Sequence, residues 1–162
     1  MDDKNIVDIK FDFKTLEFKL AEALQKVLDA EESLNLCKEN FNELTIRIKR
    51  ENNPALKTQF CGMQRAIVPS VEKLIDNLSD AVKTARSIAK LNKSLYDARG
   101  QFLAERFNVG SWASRYEIQN ELGTLKDKSV EMDSVLSELE DVSNKYKMED
   151  FIPCSPGSEK GE

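Results

Sequence analysis

Histidine is absent from the 162-residue chain. Its absence removes Ser–His and Cys–His nucleophile pairs, Glu-x-x-His di-iron bundles and nearly every catalytic zinc site. Glycine and proline are sparse, at 6 and 4 residues, which leaves too little turn chemistry for a sandwich or barrel of many short strands. The three cysteines, Cys37, Cys61 and Cys154, form an odd set without CxxC spacing. A disulfide framework wants an even count, so a reducing intracellular setting is expected. The opening MDDKNIVDIK carries acids where a signal peptide would carry a basic stretch and an apolar one. No run approaches the ~18 apolar residues that span a bilayer. A soluble, cytoplasmic chain is the expectation. Without a phosphate-cradling glycine loop, a nucleophile–base pair or an Asp-x-Asp-x-Asp-Gly loop, the sequence points to no enzyme, no cofactor and no metal.

What the chain has is helical periodicity. Apolar side chains make up 40% and charged ones 33% of it, the latter well above the usual ~25% and a sign of much solvated surface per buried residue. From Phe13 every seventh residue is apolar: Phe13, Leu20, Val27, Leu34, Phe41 and Ile48. Leu16, Ala23, Ala30, Cys37 and Leu44 follow the first five at three residues' distance. Filling all eleven positions by chance has a probability of roughly 0.4 to the eleventh power, about 4 in 100,000 per frame. The residues between favour helix and carry charge on the opposite face. A helix over about 12–51 is predicted.

Asn52-Asn53-Pro54 marks its end and the start of the next, with Asn53 as cap and Pro54 at the first helical position. The second seven-residue row is Phe60, Ile67, Leu74, Ala81, Ile88, Leu95 and Phe102, accompanied by Val71, Leu78 and Ala85, then Leu91 and Ala98. Pro69 inside this row removes a backbone bond and crowds the preceding turn, so a kink or short break at 67–70 is expected in a helix over 54–107. Gly110 supplies a left-handed stop. Ser114-Arg115-Tyr116-Glu117 reads as a capping box for the third helix, over 112–147, although Ser111 offers an earlier start. Its stripe is Ile118, Leu125, Met132, Leu139 and Tyr146.

Striped helices of this length must bury their stripes, and short loops force neighbours to run antiparallel. The predicted fold is therefore all-α: an elongated antiparallel three-helix bundle, or helical hairpins with coiled-coil-like packing. Residues 1–11 read as a flexible N-terminal arm, 12–148 as the bundle and 149–162 as a disordered acidic tail. The middle segment outruns its neighbours, and its overhang needs a cover, from another chain or from the Pro69 region folded back. Net charge is −2 over 1–50, +3 over 51–107 and −6 over 108–162, which suits a basic middle helix between acidic ones.

Candidate sites are few. Lys83, Arg86, Lys90 and Lys93 recur at helical spacing and could meet an anionic membrane or nucleic acid, although a solvated outer face explains them as well. Phe60, Trp112, Phe151 and Ile152 are the partner-binding candidates. Trp112 is expected to plug the bundle's end between Phe107 and Val109, with an exposed anchor as the other reading. Ser155-Pro156 is a possible phosphate acceptor. Cys37 reads as core, and Cys61 and Cys154 as possible thiols. The two function classes left standing are a non-enzymatic helical subunit of a protein assembly, bound to a partner or to itself through helical seams, and a peripheral binder of anionic surfaces.

Overall fold

The computed structural model describes the backbone of residues 3–154 and the side chains of 13–154. The fold is an all-α three-helix bundle. Helix α1 spans Asp3–Arg50, α2 Pro54–Phe107 and α3 Trp112–Lys145, followed by a short 3-10 turn, η1, at Met148–Phe151. Among the described residues there is no strand, and no helix is long and apolar enough to cross a membrane. Helix α1 takes in most of the segment read as an arm. Residues 3–11 hold no glycine or proline, and extending an existing helix adds one bond per residue without a new nucleus.

Caps settle the boundaries. The Asn53 Oδ1 accepts from the Ala55 amide at 3.0 Å, with Pro54 opening α2. At the other turn it is Ser111 that caps: its Oγ accepts from the Ser114 amide at 3.3 Å, so α3 starts at Trp112 and the expected capping box at Ser114 is already inside the helix. No described glycine has positive φ. Gly110 is therefore not the left-handed stop the sequence suggests; α2 closes instead with the Val109 amide donating to the Arg106 carbonyl at 3.2 Å. The break expected at 67–70 is also absent, because α2 runs uninterrupted through Pro69. Pro69 and Arg65 are both exposed, so the carbonyl that the proline deprives of a donor lies on a hydrated side of the helix.

The chain forms two compact units, and each helix supplies residues to both. Unit 1 comprises residues 1–24 and 82–141. Its core joins Leu20 of α1, Ala89, Tyr96 and Leu103 of α2, and Leu125 and Met132 of α3, flanked by Phe13, Leu24, Ile88, Phe102 and Ile118. The contacts Lys93–Asp133, Asp97–Ser129 and Arg99–Glu121 descend one helix while climbing the other, so α2 and α3 run antiparallel here.

Unit 2 comprises residues 25–81 and 142–162. The loop between Arg50 and Pro54 folds α2 back along α1. Val27, Leu34, Phe41, Leu44 and Ile48 of α1 and Cys61, Val71 and Leu78 of α2 are all buried here, and Gln64 of α2 bonds α1 at Phe41 and Thr45. Beyond the end of α3, the chain's own C-terminal segment lies over this hairpin, a cover the sequence reading did not name. Phe151 is only 2% exposed and meets the Phe41 ring edge-on at 5.5 Å. The disordered tail expected from 149 is thus overturned as far as Cys154, because one aromatic ring finds a ready apolar slot; residues 155–162, with Ser155-Pro156, lie outside the described residues.

The stripes of α1 and α3 lie where their spacing puts them. On α2 the companion row Val71, Leu78 and Ala85 is buried as expected, whereas the main row from Phe60 to Phe102 is not. The buried positions of α2 are Cys61, Gln64, Val71, Leu78, Val82, Ala85, Ala89, Asn92, Tyr96, Arg99 and Leu103. With half-buried Val68 and Ile75, these alternate three and four apart, the repeat of a coiled-coil seam. The row from Phe60 to Phe102 is its half-buried flank.

Candidate interaction surfaces

The displaced seam brings polar side chains inside that periodicity alone does not find. In unit 1 the Tyr96 hydroxyl donates to Glu17 Oε1 at 2.6 Å, and Lys128 Nζ donates to the same oxygen at 2.9 Å. Burial alone would raise the Glu17 carboxyl, but the hydrogen bonds from Tyr96 and Lys128 and the charges of Lys128 and Lys14 outweigh it and hold the group below its ordinary pKa. Burial, then the bond to Glu17 and its negative charge, push the Tyr96 phenol well above the ordinary value. One acidic side chain of α1 thereby ties α2 to α3. Three residues along the seam, Arg99 is buried, with its Nε donating to Glu121 Oε1 at 3.2 Å and its guanidinium 5.6 Å from the Phe102 ring centre. Asn92, also buried, finds no protein partner for either side-chain amide atom among the described residues.

In unit 2 the corresponding polar residue is Gln64, 2% exposed. Its Nε2 donates to the Phe41 carbonyl at 3.1 Å and to Thr45 Oγ1 at 2.6 Å, while its Oε1 accepts from the Cys154 amide at 3.1 Å. Gln64 so binds α1 on one side and the C-terminal segment on the other. Tyr146 donates to Asn35, and Lys145 pairs with Glu31 at 3.7 Å.

Asn92 apart, these groups are hydrogen-bonded between elements, and Tyr96 also lines an open surface cleft of about 510 Å³ with Asp97, Leu122 and Lys126. Among the described residues no three His, Cys, Asp or Glu side chains converge as a metal site would require. Cys61 is buried and Cys37 and Cys154 are half-buried. Cys61 therefore offers no accessible thiol.

The four cations of α2 are not arranged as one free surface. Lys93 is paired with Asp133, and Arg86 and Lys90 line a surface cleft of about 450 Å³ together with Asp133 and Glu140 of α3. Lys83 is exposed. Carboxylates of the neighbouring helix thus stand among these cations.

The aromatic candidates divide. Phe60 is half-buried on the flank of the α2 seam. Phe151 is core, so it is no anchor for a partner, while its neighbour Ile152 is exposed. Trp112 does not plug the bundle. It is 86% exposed, beside Val109 at 83% and Tyr116 at 67%. Ser111 starts α3 early and leaves Trp112 on its first turn, outside the packed part of the helix. Sequence spacing also misses the outer side of α1, where Phe18 in unit 1 and Leu28, Leu36 and Ile46 in unit 2 are exposed. Searches against family models, curated proteins and solved structures return no match to this chain.

Proposed function

We propose that this chain is a non-enzymatic helical subunit that joins a larger protein assembly, as scaffold or adaptor, by packing helix against helix. The observation that carries the reading is a second apolar line on α1 within unit 2. Leu28 and Ile46 lie five turns apart and so share one line of the helix, and Leu36 lies about 80° round from it. All three are exposed, although α1 has already buried Val27, Leu34, Phe41 and Ile48. Exposed Glu32, Glu39 and Glu43 fall between them. Aliphatic anchors set among carboxylates over about 27 Å of helix fit a basic amphipathic helix.

The test is co-isolation with the full-length chain, comparing wild type with a Leu28→Glu/Leu36→Glu variant. Surface changes of this kind alter stability by less than about 0.5 kcal/mol, so circular dichroism and melting should be unchanged. The reading expects a stoichiometric protein partner with the wild type and its loss with the variant. Recovery of the same set by both chains refutes it.

A further inference from the structure

Helix α3 stops short of the turn between α1 and α2. Its last residue, Lys145, pairs with Glu31, and the next, Tyr146, bonds Asn35. Helix α1 runs on from Asn35 to Arg50, 15 residues or about 22 Å. On this stretch the hairpin of unit 2 carries a slot with two reading elements. The Phe41 ring meets Phe151 edge-on, and Gln64 Oε1 accepts from the Cys154 amide at 3.1 Å. The slot does not depend on the segment that fills it. Gln64 is also tied to α1, through the Phe41 carbonyl at 3.1 Å and Thr45 Oγ1 at 2.6 Å, so its acceptor stays in place when residues 148–154 leave. A preformed site of this kind spares a ligand the cost of ordering its receptor.

The filling is lightly held. Ile152, between the two contacts, is 73% exposed, and Met148, Glu149 and Asp150 are exposed as well. The turn Met148–Phe151 has no side-chain cap, and Lys147 before it is extended at φ −128° and ψ 144°, a ready pivot. The Phe151 ring and the Cys154 N–H hold the segment against the backbone entropy of its ordered residues. We infer that this slot is a docking site for an extended segment of a partner protein, and that residues 148–154 close it in cis. The seated segment defines the chemistry of that occupant: an aromatic side chain for the place beside Phe41 and, three residues on, a main-chain N–H for Gln64. The residue between them that faces solvent is free to vary. Every partner segment must first displace the chain's own, so its apparent affinity falls by the fraction of molecules that are open.

The probe is a synthetic peptide of residues 148–154 carrying Cys154→Ser, titrated into the full chain and followed by NMR amide shifts. Phe151→Ala in the chain empties the slot, and a chain ending at Lys147 does the same should the substituted one fail to fold. A cis hold of about 5–150-fold and an effective concentration of a few millimolar put the peptide's Kd at roughly 0.03–1 mM on the emptied slot. Wild type should bind it about 5–150-fold more weakly. The shifts should centre on Phe41, Thr45 and Gln64. A peptide with Phe151→Ala should not bind, and one with Cys154→Pro, which lacks the N–H, should bind about 5-fold less well. Excess peptide should also speed trypsin cleavage of wild type after Lys147, by pushing the segment out. Equal affinity for wild-type and emptied chains, no binding to either, or binding that survives Phe151→Ala in the peptide overturns the proposal. So does a wild-type dimer that Phe151→Ala dissolves, since a second copy's segment is then the occupant. Variants on the outer side of α1 leave Phe41, Gln64 and the segment intact, so the two readings fail separately.

Discussion

Replacing Phe151 with alanine asks how the C-terminal segment is held. In a closed core this change costs about 3–5 kcal/mol, since a cavity adds to the lost transfer energy. Phe151 sits in a short segment that follows α3, and that alters the outcome. Each ordered residue after Tyr146 costs roughly 1–2 kcal/mol of backbone entropy. Against that cost stand the Phe151–Phe41 contact and the Cys154–Gln64 hydrogen bond, the latter worth a net ~1 kcal/mol. Without the ring the segment lifts away instead of bridging a void. The loss is then only the net free energy of attachment, below the cost in a closed core, and we expect about 1–3 kcal/mol. Urea unfolding followed at 222 nm measures it. Deleting the chain from Met148 onward removes the same attachment, so it should match the substitution to within ~0.5 kcal/mol. Trypsin, acting at exposed Lys147, should cut the variant faster than the wild type. A full 3–5 kcal/mol loss with no faster cleavage, or a loss below ~0.5 kcal/mol, refutes the reasoning.

Three other outcomes follow from the same contacts. Asn92→Leu should raise the urea midpoint with the slope unchanged, adding about 1–3 kcal/mol, because a buried amide without a protein partner gives way to an apolar side chain of similar size; a lower midpoint contradicts this. Pro69→Ala should stabilise by about 1–3 kcal/mol, since it restores a helical bond at an exposed site in the interior of α2, and thermal melting reads the gain. Glu17 has a folded-state pKa below its ordinary value, so its contribution is complete above the carboxylate range and is lost as pH falls through the folded value. Because its side chain is 37% exposed, the effect is under ~1 kcal/mol. Glu17→Gln should therefore lower the melting temperature near neutrality and match wild type at about pH 3; an equal gap at both pH values contradicts the linkage.

Much of this architecture is legible in the sequence, and the exceptions have physical reasons. The heptad rows of α1 and α3 are apolar at their centres, so a search for apolar periodicity lands on the buried face. On α2 the centre of the seam carries Gln64, Asn92 and Arg99, while the flanking row from Phe60 to Phe102 is apolar throughout. Periodicity takes the flank as its main row, one residue off, and meets the seam only in the companions Val71, Leu78 and Ala85, so the buried polar residues go unseen. The rest of the signal lay in Ile75, Val82 and Ala89, which complete a three–four alternation with those companions. The C-terminal segment escapes detection because Phe151 anchors it alone, in a stretch too short to show a period. Its necessity was visible all the same in the length of α2 relative to α3. At the α2–α3 turn, two serines three residues apart competed as caps, and the choice of Ser111 decides where Trp112 stands.

Neither compact unit is drawn from a continuous run of chain, and synthesis on the ribosome makes that matter. The two helices of residues 25–81 can pair as soon as they emerge, although Phe151 and Cys154, which complete that unit, follow only later. Glu17 must wait for Lys128, 111 residues later. At 5–20 residues per second that delay is roughly 5–20 s, during which Phe13, Leu16 and Leu20 have no α3 to lie against. The nascent N-terminal helix is thus a natural client for chaperones, and the yield of folded protein should depend on how quickly translation passes through the second half of the message.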